Sequence, residues 1–455
     1  IQLGDGADIS TTGDSALAIY AATEQQGTYT DNVRPGSVYL AGGAKLRAAN
    51  SADVIQANGI GSIIASQYLA VPEISDSHLR TDRLDIDKTA LSDSAGVFDI
   101  EGNINAINGG TIALNMSNTS HFVGSSSVDA ASTVNLNIDG RSSLWTMTKD
   151  STLTNLTLNN ATLSYQSPEN GSPLTPKTLT VNGNYDGNGG TLMLNTVLGN
   201  DNSLTDKLIV QGNTSGTTNV AVNNVGGSGD KTVNGIEVIH VDGASDGNFV
   251  KAGRIVAGSY EYDLRRGEGA QTSNWYLMNA ASTTVDPVPE QPTIRPESGS
   301  YLANQAAANT MFNTRLHDRL GDTQYTDLLT GEQKVTSMWM RHVGGHTRFK
   351  DSSGQLSTQS NRYVLQLGGD IAQWSTNGLD RWHLGLMAGY GNSQSNTRSD
   401  VTLYHSRGQV TGYSAGVYGT WYANDAEKTG TYLDSWVLYN WFNNKVYGDK
   451  LATEK

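Results

Sequence analysis

Between residues 36 and 194 the chain keeps returning to one short phrase: runs of four to seven residues rich in Thr, Val, Leu and Ile, punctuated by Asn and Gly. The runs are Gly36–Leu40, Gly110–Asn115, Thr133–Ile138, Thr152–Leu158, Thr162–Tyr165, Thr178–Asn182 and Gly190–Leu194. Period-2 alternation puts Leu153, Leu156, Leu158 and Leu163 on one face and Thr and Asn on the other, with an irregular step at Thr154–Asn155. Asn and Gly at the breaks suit turns and left-handed backbone. Similar runs recur roughly every 20 residues, the spacing of a degenerate parallel β-helix. Ten such rungs would build a rod of about 50 Å. A β-sandwich would also use short strands, but the absence of long hydrophobic strands and hairpin signals favours the solenoid.

The last rung of a solenoid exposes unpaired backbone groups and needs a cap. Residues 206–281 read as that cap. They hold Asp206–Gly227, then Gly235–Gly243, then the aromatic hairpin-like Arg254–Asn279, where Tyr260, Tyr262, Trp275 and Tyr276 flank a turn at Gly267–Gly269. Those four aromatics are the expected packing residues of the cap.

Composition removes several functions. With 37% hydrophobic residues and 51 glycines the chain is polar for its length. Its net charge of −14 carries no basic patch, so nucleic acid is an unsuitable partner. Cysteine is absent, which excludes disulfides and Cys-ligated metals. No apolar run of about eighteen residues occurs, so no transmembrane helix is expected. The chain opens on Ile1 in mid-pattern, without Met or signal peptide, as a processed or excised piece would.

At Pro287, Pro289, Pro292 and Pro296 the pattern changes. Residues 282–299 read as a stiff linker. Residues 300–322 then read as one helix, capped by Ser298 or Ser300, strengthened by Ala306–Ala308 and ended by Gly321. Leu302, Met311, Leu316 and Leu320 give it a broken apolar stripe, too polar for lipid. At 1.5 Å per residue it would reach about 33 Å, enough to cross a bilayer inside a barrel lumen. A surface helix is the alternative.

Five segments with outward-apolar alternation follow in residues 333–455, including Tyr363–Ile371, Trp382–Tyr390, Tyr413–Trp421 and Leu433–Trp441. Met338–Phe349 is less regular, because Arg341 and Val343 share a face. Six of the eight tryptophans lie beyond residue 330, several near segment ends, as interfacial girdles require. Five strands cannot close in lipid, so the expectation is a truncated barrel or one completed from elsewhere. A soluble antiparallel sheet is the alternative.

The run Leu179–Thr218, followed by Ser259–Leu264 and Asn274–Asn279, resembles the C-terminal passenger region of pertactin-like and diffuse-adherence-type autotransporters, the type V secretion family. The resemblance runs from about residue 150 to the end. It implies an all-β fold, with a right-handed parallel β-helix passenger over 1–205, an autochaperone cap over 206–281, a lumenal helix and the first strands of a twelve-stranded transmembrane barrel. It implies secretion and surface display of the chain's own passenger, with adhesion, self-aggregation or biofilm formation as the surface role. The implied location is the bacterial outer membrane and cell surface after periplasmic transit. Implied partners are outer-membrane lipid, barrel-assembly machinery, periplasmic chaperones, an unidentified host or bacterial surface ligand, and the passenger itself. The rival is a secreted β-helix enzyme whose catalytic part lies in missing passenger.

Catalytic, cofactor and metal sites are not legible. Gly13-Asp14-Ser15 lacks the following glycine of a serine nucleophile motif, and no His precedes His78. His342 and His346 on one strand would stand about 13 Å apart. Gly226–Asp230 lacks the spacing of calcium nonapeptides, and Asp201 and Asp206 form no oxygen cluster. Serine-protease members of the resembled family cut themselves at an Asn-Asn pair in the lumenal helix, and Ala308–Asn313 has no such pair. The acid-labile Asp286-Pro287 bond is the one candidate processing site, a plain spacer being the alternative.

Overall fold

Alternation alone would make a flat sheet; frequent breaks make the chain coil. The computed structural model describes every residue except 5, 26–32, 49–52, 70–94, 170, 281–290, 320–322 and 426–428. It divides into two units, Ile1–Ala280 and Ala281–Lys455.

The first unit is a parallel β-helix. Successive coils lay strands onto four sheets among the described residues, and the longest is a parallel ladder of nine strands. At ~4.8 Å per strand that ladder is about 40 Å long. In-register stacking carries the core. Ile9, Leu46, Ile100, Phe122, Trp145, Leu163, Leu192 and Val220 are successive partners along one ladder. From Leu46 onward all of them are buried. Trp145 stacks on Phe122 at 5.2 Å, and its indole N–H donates to the Gly124 carbonyl at 3.0 Å. Coils approach so closely there that a Cβ on Gly124 would fall 2.0 Å from the Gly102 oxygen.

The irregular step at Thr154–Asn155 is a corner. Ser151–Leu153 lies in one ladder and Asn155–Asn159 in another. Asn155 Nδ2 donates to Asn135 Oδ1, while Asn155 Oδ1 accepts the Asn184 N–H, and Asn184 Oδ1 accepts the Asn213 N–H. Coils of 22 and 20 residues, read from Ile112 to Val134 and Leu136 to Leu156, lengthen to 29 from Leu156 to Tyr185 and from Tyr185 to Thr214. The spacing of roughly 20 residues, irregular already in the sequence, thus describes the middle coils, whereas Ile9 and Leu46, partners in an early coil, stand 37 residues apart.

The second unit holds helix α1 (Glu297–Thr310), a short helix α2 (Leu316–Arg319), a small hairpin (Thr323–Thr326 with Gln333–Thr336) and a five-stranded antiparallel sheet. The sheet strands are β1 (Trp339–Lys350), β2 (Leu356–Trp374), β3 (Arg381–Ser399), β4 (His405–Tyr422) and β5 (Tyr432–Gly448), paired in chain order.

The single helix expected over 300–322 is corrected. α1 starts three residues earlier, behind Pro296, and Ser300 is buried within it rather than capping it. It ends after 14 residues, about 21 Å of rise. Met311 caps it with helical backbone, its N–H donating to the Ala307 carbonyl; Met311 and Phe312 are buried, and Gln366 Nε2 donates to the Phe312 carbonyl. No helix among the described residues is long and apolar enough to cross a membrane.

The sheet's outer face is apolar over part of its height, with Leu384, Leu386 and Tyr390 on β3 and Tyr413, Val417 and Trp421 on β4. The same strands continue for 18 or 19 residues into a stretch whose outer side chains are polar, such as Asn392, Gln394 and Asn396. A bulge at Asp370/Ala372 shifts the register of β2 and brings Trp374 opposite Trp382. Trp374, Trp382 and Trp421 then form a row with ring centroids 5.9 Å apart. Two tryptophans depart from the girdle. Trp339 is buried on the inner face against Tyr418, and Trp436 pairs with Tyr418 on that face. Arg341 and Val343 share the inner face too, where Arg341 Nη1 donates to Gln366 Oε1 at 2.7 Å.

Leu163→Ala removes a fully buried side chain between two others in register, and its expected cost is about 2–5 kcal/mol. Urea unfolding followed by circular dichroism checks it; a loss below about 1 kcal/mol would contradict the stacked core.

Candidate functional site

The parallel ladder ends at Ile236–Val241, which still pairs in parallel with Lys207–Val210. On its other side it receives Trp275–Met278 antiparallel, followed by Tyr260–Arg266 and Ile255–Ala257. A chain reversal thus replaces the next coil, and the edge that a further coil would occupy is filled by a local meander.

Of the four expected aromatics, Tyr262 and Trp275 are buried in the rod core and Tyr260 packs against it, while Tyr276 is buried outside it. Trp275 is buried and meets Phe249 edge-on at 5.5 Å; Phe249 stacks on Tyr185 at 5.9 Å. The guanidinium of Arg266 lies 4.6 Å from the Trp275 ring. Tyr276, on the other face of that strand, donates to Glu237 Oε2 at 3.1 Å. Tyr262 is fully buried elsewhere. Its hydroxyl lies within hydrogen-bond distance of the carbonyls of Gly199 (2.8 Å) and Asp230 (2.9 Å) and accepts the Asp230 N–H at 3.0 Å. It ties two loops of the last coils to the meander. Tyr260 is half-buried and packs against the rod core.

Sequence reasoning missed the polar half of this cap. Arg254 and Glu261 form a bidentate pair with almost no exposure, Nε to Oε1 at 3.0 Å and Nη2 to Oε2 at 2.8 Å, across the Gly258 turn. Asn279 Oδ1 accepts from Thr232 N and Oγ1, and Thr232 Oγ1 accepts from Asn279 N. Asp201 accepts three backbone N–H groups, from Val233, Asn234 and Gly235. Burial pushes the Asp201 carboxyl up, but those donors outweigh it and hold it below the usual carboxylate range. Asp206 is shifted the opposite way: burial dominates and raises it, despite N–H bonds from Lys177 and Asn195. Only the aromatics Tyr260, Tyr262, Trp275 and Tyr276 carried a sequence signal, by flanking the Gly267–Gly269 turn; an isolated Arg or Asp carried none.

The second constellation is the seat of α1 on the inner sheet face. Ser300 Oγ bonds Thr397 Oγ1 and Ser406 Oγ, and Asn304 Nδ2 reaches the Gln409 and Lys445 carbonyls. Before α1, Arg295 bridges Glu297 and Glu454, and Gln355 exchanges hydrogen bonds with Ile294 N and Pro292 O. After it, Arg319 pairs with Asp434. Deeper on the same face His383 Nδ1 meets Asp370 Oδ2 at 2.7 Å, and Tyr418 donates to Asp370 Oδ1 at 2.7 Å.

Other candidates fall outside both. Asp286 and Pro287 lie outside the described residues. Ser15 sits in an exposed turn with φ of 63°. His346 Nε2 accepts from Arg348 Nε, and His342 stands edge-on to Tyr363. Among the described residues no group of three His, Asp or Glu side chains is placed to hold a metal.

Residues 151–264 match the family model described as autochaperone domain type 1, and residues 338–453 match the autotransporter beta-domain. Together they take in just over half of the chain. The chain belongs to the autotransporter family. It is 56% identical over 290 residues to the uncharacterized protein YdeU of Escherichia coli (strain K12), covering 61% of this chain and 62% of that protein. It is 58% identical over 287 residues to the uncharacterized protein YuaQ of the same strain, covering 61% and 21%. It is 41% identical over 281 residues to the autotransporter adhesin AIDA-I of Escherichia coli, covering 61% and 21%. Among solved structures it is similar to the transport unit of AIDA-I from Escherichia coli, at 38% identity and a TM-score of 0.31, covering 35% of this chain and 48% of that one. The chain thus spans between about a fifth and just under two thirds of these curated relatives.

Tyr262→Phe leaves the ring in place but takes the hydroxyl from the Gly199 carbonyl and the Asp230 N–H, while the Asp230 carbonyl keeps Asn279 Nδ2; the expected loss is about 1–3 kcal/mol, read by urea unfolding. Asp201 gives a pH signature. Its depressed folded value means its contribution is complete above an unfolded carboxylate's value of about 3.9 and is lost as pH falls through the folded value. Asp206 works in the other sense, its ionisation penalty lifting as pH falls. Asp201→Asn should therefore flatten the acid-side loss of stability; an unchanged acid limb in denaturation from about pH 6 to pH 3 would refute the assignment.

Proposed function

We propose that this chain displays a β-helical passenger at the cell surface, anchored through an outer-membrane β-domain, and that the displayed rod acts as an adhesin. The observation that carries this reading is the pairing, in one chain, of a capped β-helix with strands that are apolar outside and seat a polar helix inside. A soluble sheet would bury its apolar face; here Leu386, Val417 and Val437 remain exposed. Family membership and the relatives named adhesins support outer-membrane and surface residence.

In this reading residues 206–281 are the autochaperone, and Tyr260, Tyr262, Trp275 and Tyr276 are its packing residues. The meander pairs residues close in sequence, so it can form before the long ladders. It then offers Ile236–Val241 as a template, and each coil that settles gains core and backbone bonds from its neighbour. That free energy, released outside the cell where ATP is absent, draws further chain outward. Residues 282–299 link rod to anchor, with Asp286-Pro287 as the candidate processing bond. α1 and the strands of 333–455 tether the chain in lipid, and barrel-assembly machinery and periplasmic chaperones are the partners such a route needs. The surface role is binding rather than catalysis, to a host or bacterial surface or to a second passenger.

Trp275→Ala should cost about 3–5 kcal/mol in rod stability and reduce the folded passenger reaching the surface. Protease shaving of intact cells measures that; wild-type display by this variant would sink the autochaperone role.

A further inference from the structure

The outer face of the five-stranded sheet changes character along its height, and the register makes the change fall in rows. Trp374, Trp382 and Trp421 mark one end of the apolar stretch. Tyr390, Tyr413 and Trp441, side by side on β3, β4 and β5, mark the other. From Trp421 to Tyr413 is about 27 Å of strand, or about 21 Å of height at the ~40° tilt of membrane strands, close to an outer-membrane apolar band.

Beyond the second aromatic row the outer positions turn to amides and then to cations. Lys445 stands in the row of Gln394 and Gln409. Arg348 and Arg407 share the row of Gln359 and Asn396, and Lys350 and Arg398 share the row of Ser357. These outer strand positions hold five Arg and Lys side chains and no Asp or Glu, in a chain whose net charge is −14. Four of the five are exposed and Lys445 is half-buried. The nearby carboxylates lie in turns: Asp400 is 3.6 Å from Arg398, Asp449 is 3.4 Å from His405, and Asp351 accepts N–H groups of Ser353 and Leu356. Arg348 Nε donates to His346 Nε2 at 3.0 Å, and His346 meets Asn361 at 2.6 Å, which holds the guanidinium against the sheet.

This is also the end at which α1 begins. Ser300 bonds Thr397 and Ser406, the inward-facing chain neighbours of Arg398 and Arg407. In the membrane-anchor reading, on which this inference rests, the rod that precedes α1 lies outside the cell, so the cations belong to the outer leaflet. Their height then selects a ligand. The row of Lys445 lies about 10 Å above the aromatic row and that of Arg348 and Arg407 about 15 Å above it. A phospholipid headgroup layer is only about 5–8 Å deep.

We propose that Arg348, Lys350, Arg398, Arg407 and Lys445 form a docking face for the phosphorylated sugar headgroup of an outer-leaflet glycolipid. Guanidinium groups pair with phosphate oxygens in a fork, and lysine adds point charge. The amides of Gln359, Gln394, Asn396 and Gln409 between them offer donors and acceptors to sugar hydroxyls. A headgroup of several sugars carries its phosphates to the height of these rows; a phospholipid does not.

The test uses the full-length protein, purified from outer membranes and reconstituted in phosphatidylcholine vesicles containing dansyl-labelled deep-rough lipopolysaccharide. Energy transfer from tryptophan to dansyl reads binding, and unlabelled competitors read preference. Intact lipopolysaccharide should displace the label at least tenfold better than either dephosphorylated lipopolysaccharide or phosphatidylglycerol. Replacing all five cations, as Arg348→Gln, Lys350→Gln, Arg398→Gln, Arg407→Gln and Lys445→Gln together, should abolish that preference with heat-modifiable gel mobility unchanged. The triple variant Arg348→Lys, Arg398→Lys and Arg407→Lys should keep most of it. A folded glutamine variant with wild-type preference overturns the proposal, as does equal competition by dephosphorylated lipopolysaccharide. Equal competition by phosphatidylglycerol overturns it too, since the height of the rows would then select nothing. If the glutamine variant fails to fold, wild type in rising salt decides: screening should erode the preference, and a preference indifferent to salt overturns the proposal. A wild type absent from the outer membrane would instead overturn the anchor reading.

Discussion

Every strand of the rod depends on its neighbours for backbone hydrogen bonds, and that dependence governs both units. A parallel ladder has no natural end, because each strand that satisfies one edge exposes another. The rod's answer is to reverse direction: Trp275–Met278 pairs antiparallel with the last parallel strand and draws two more strands after it. In the second unit the five long strands satisfy one another by the same rule, and β3 and β4 keep register over eighteen pairs. Side chains decide which face is wet; the backbone decides that there must be a sheet at all.

The energetics of the cap are divided between apolar and polar contacts. The Tyr185–Phe249–Trp275 stack continues the rod's aromatic column into the meander. The polar groups do a different job. Arg254–Glu261 is a buried pair whose removal on one side leaves a buried charge, so it enforces one arrangement of the hairpin more than it adds stability. Tyr262 and Asp201 close loops that would otherwise leave backbone groups unpaired. α1 is seated likewise, through small hydroxyl contacts at one end and close apolar packing at the other.

Much of this was legible in sequence. Thr162–Tyr165 is a strand with the bounds its alternation indicates, and the outward sets on β3 and β4 follow period 2 without interruption. What escaped has physical causes. Coil length cannot be read from strand runs, since the longer coils put their extra residues into irregular segments between strands. The helix was read too long because propensity continues through Asn309–Arg319, whereas α1 ends at Thr310 and Met311 and Phe312 are buried against the wall. Placement near a segment end does not say which face a tryptophan takes, and Trp339, first in β1, turns inward. The pair of Arg254 with Glu261, and Asp201 with its three N–H donors, depend on turns that bring distant residues together. No local pattern announces them.

The cap's reversal gives the rod a polarity that its sequence repeats do not have. With its far edge paired to the meander, the ladder of Ile236–Val241 can lengthen only toward lower residue numbers, as a filament capped at one end grows only at the other. Damage obeys the same arrow. A fault in an early coil leaves the coils between it and the cap stacked, while in the proposed order of folding a fault beside Ile236–Val241 removes the seed for every earlier coil.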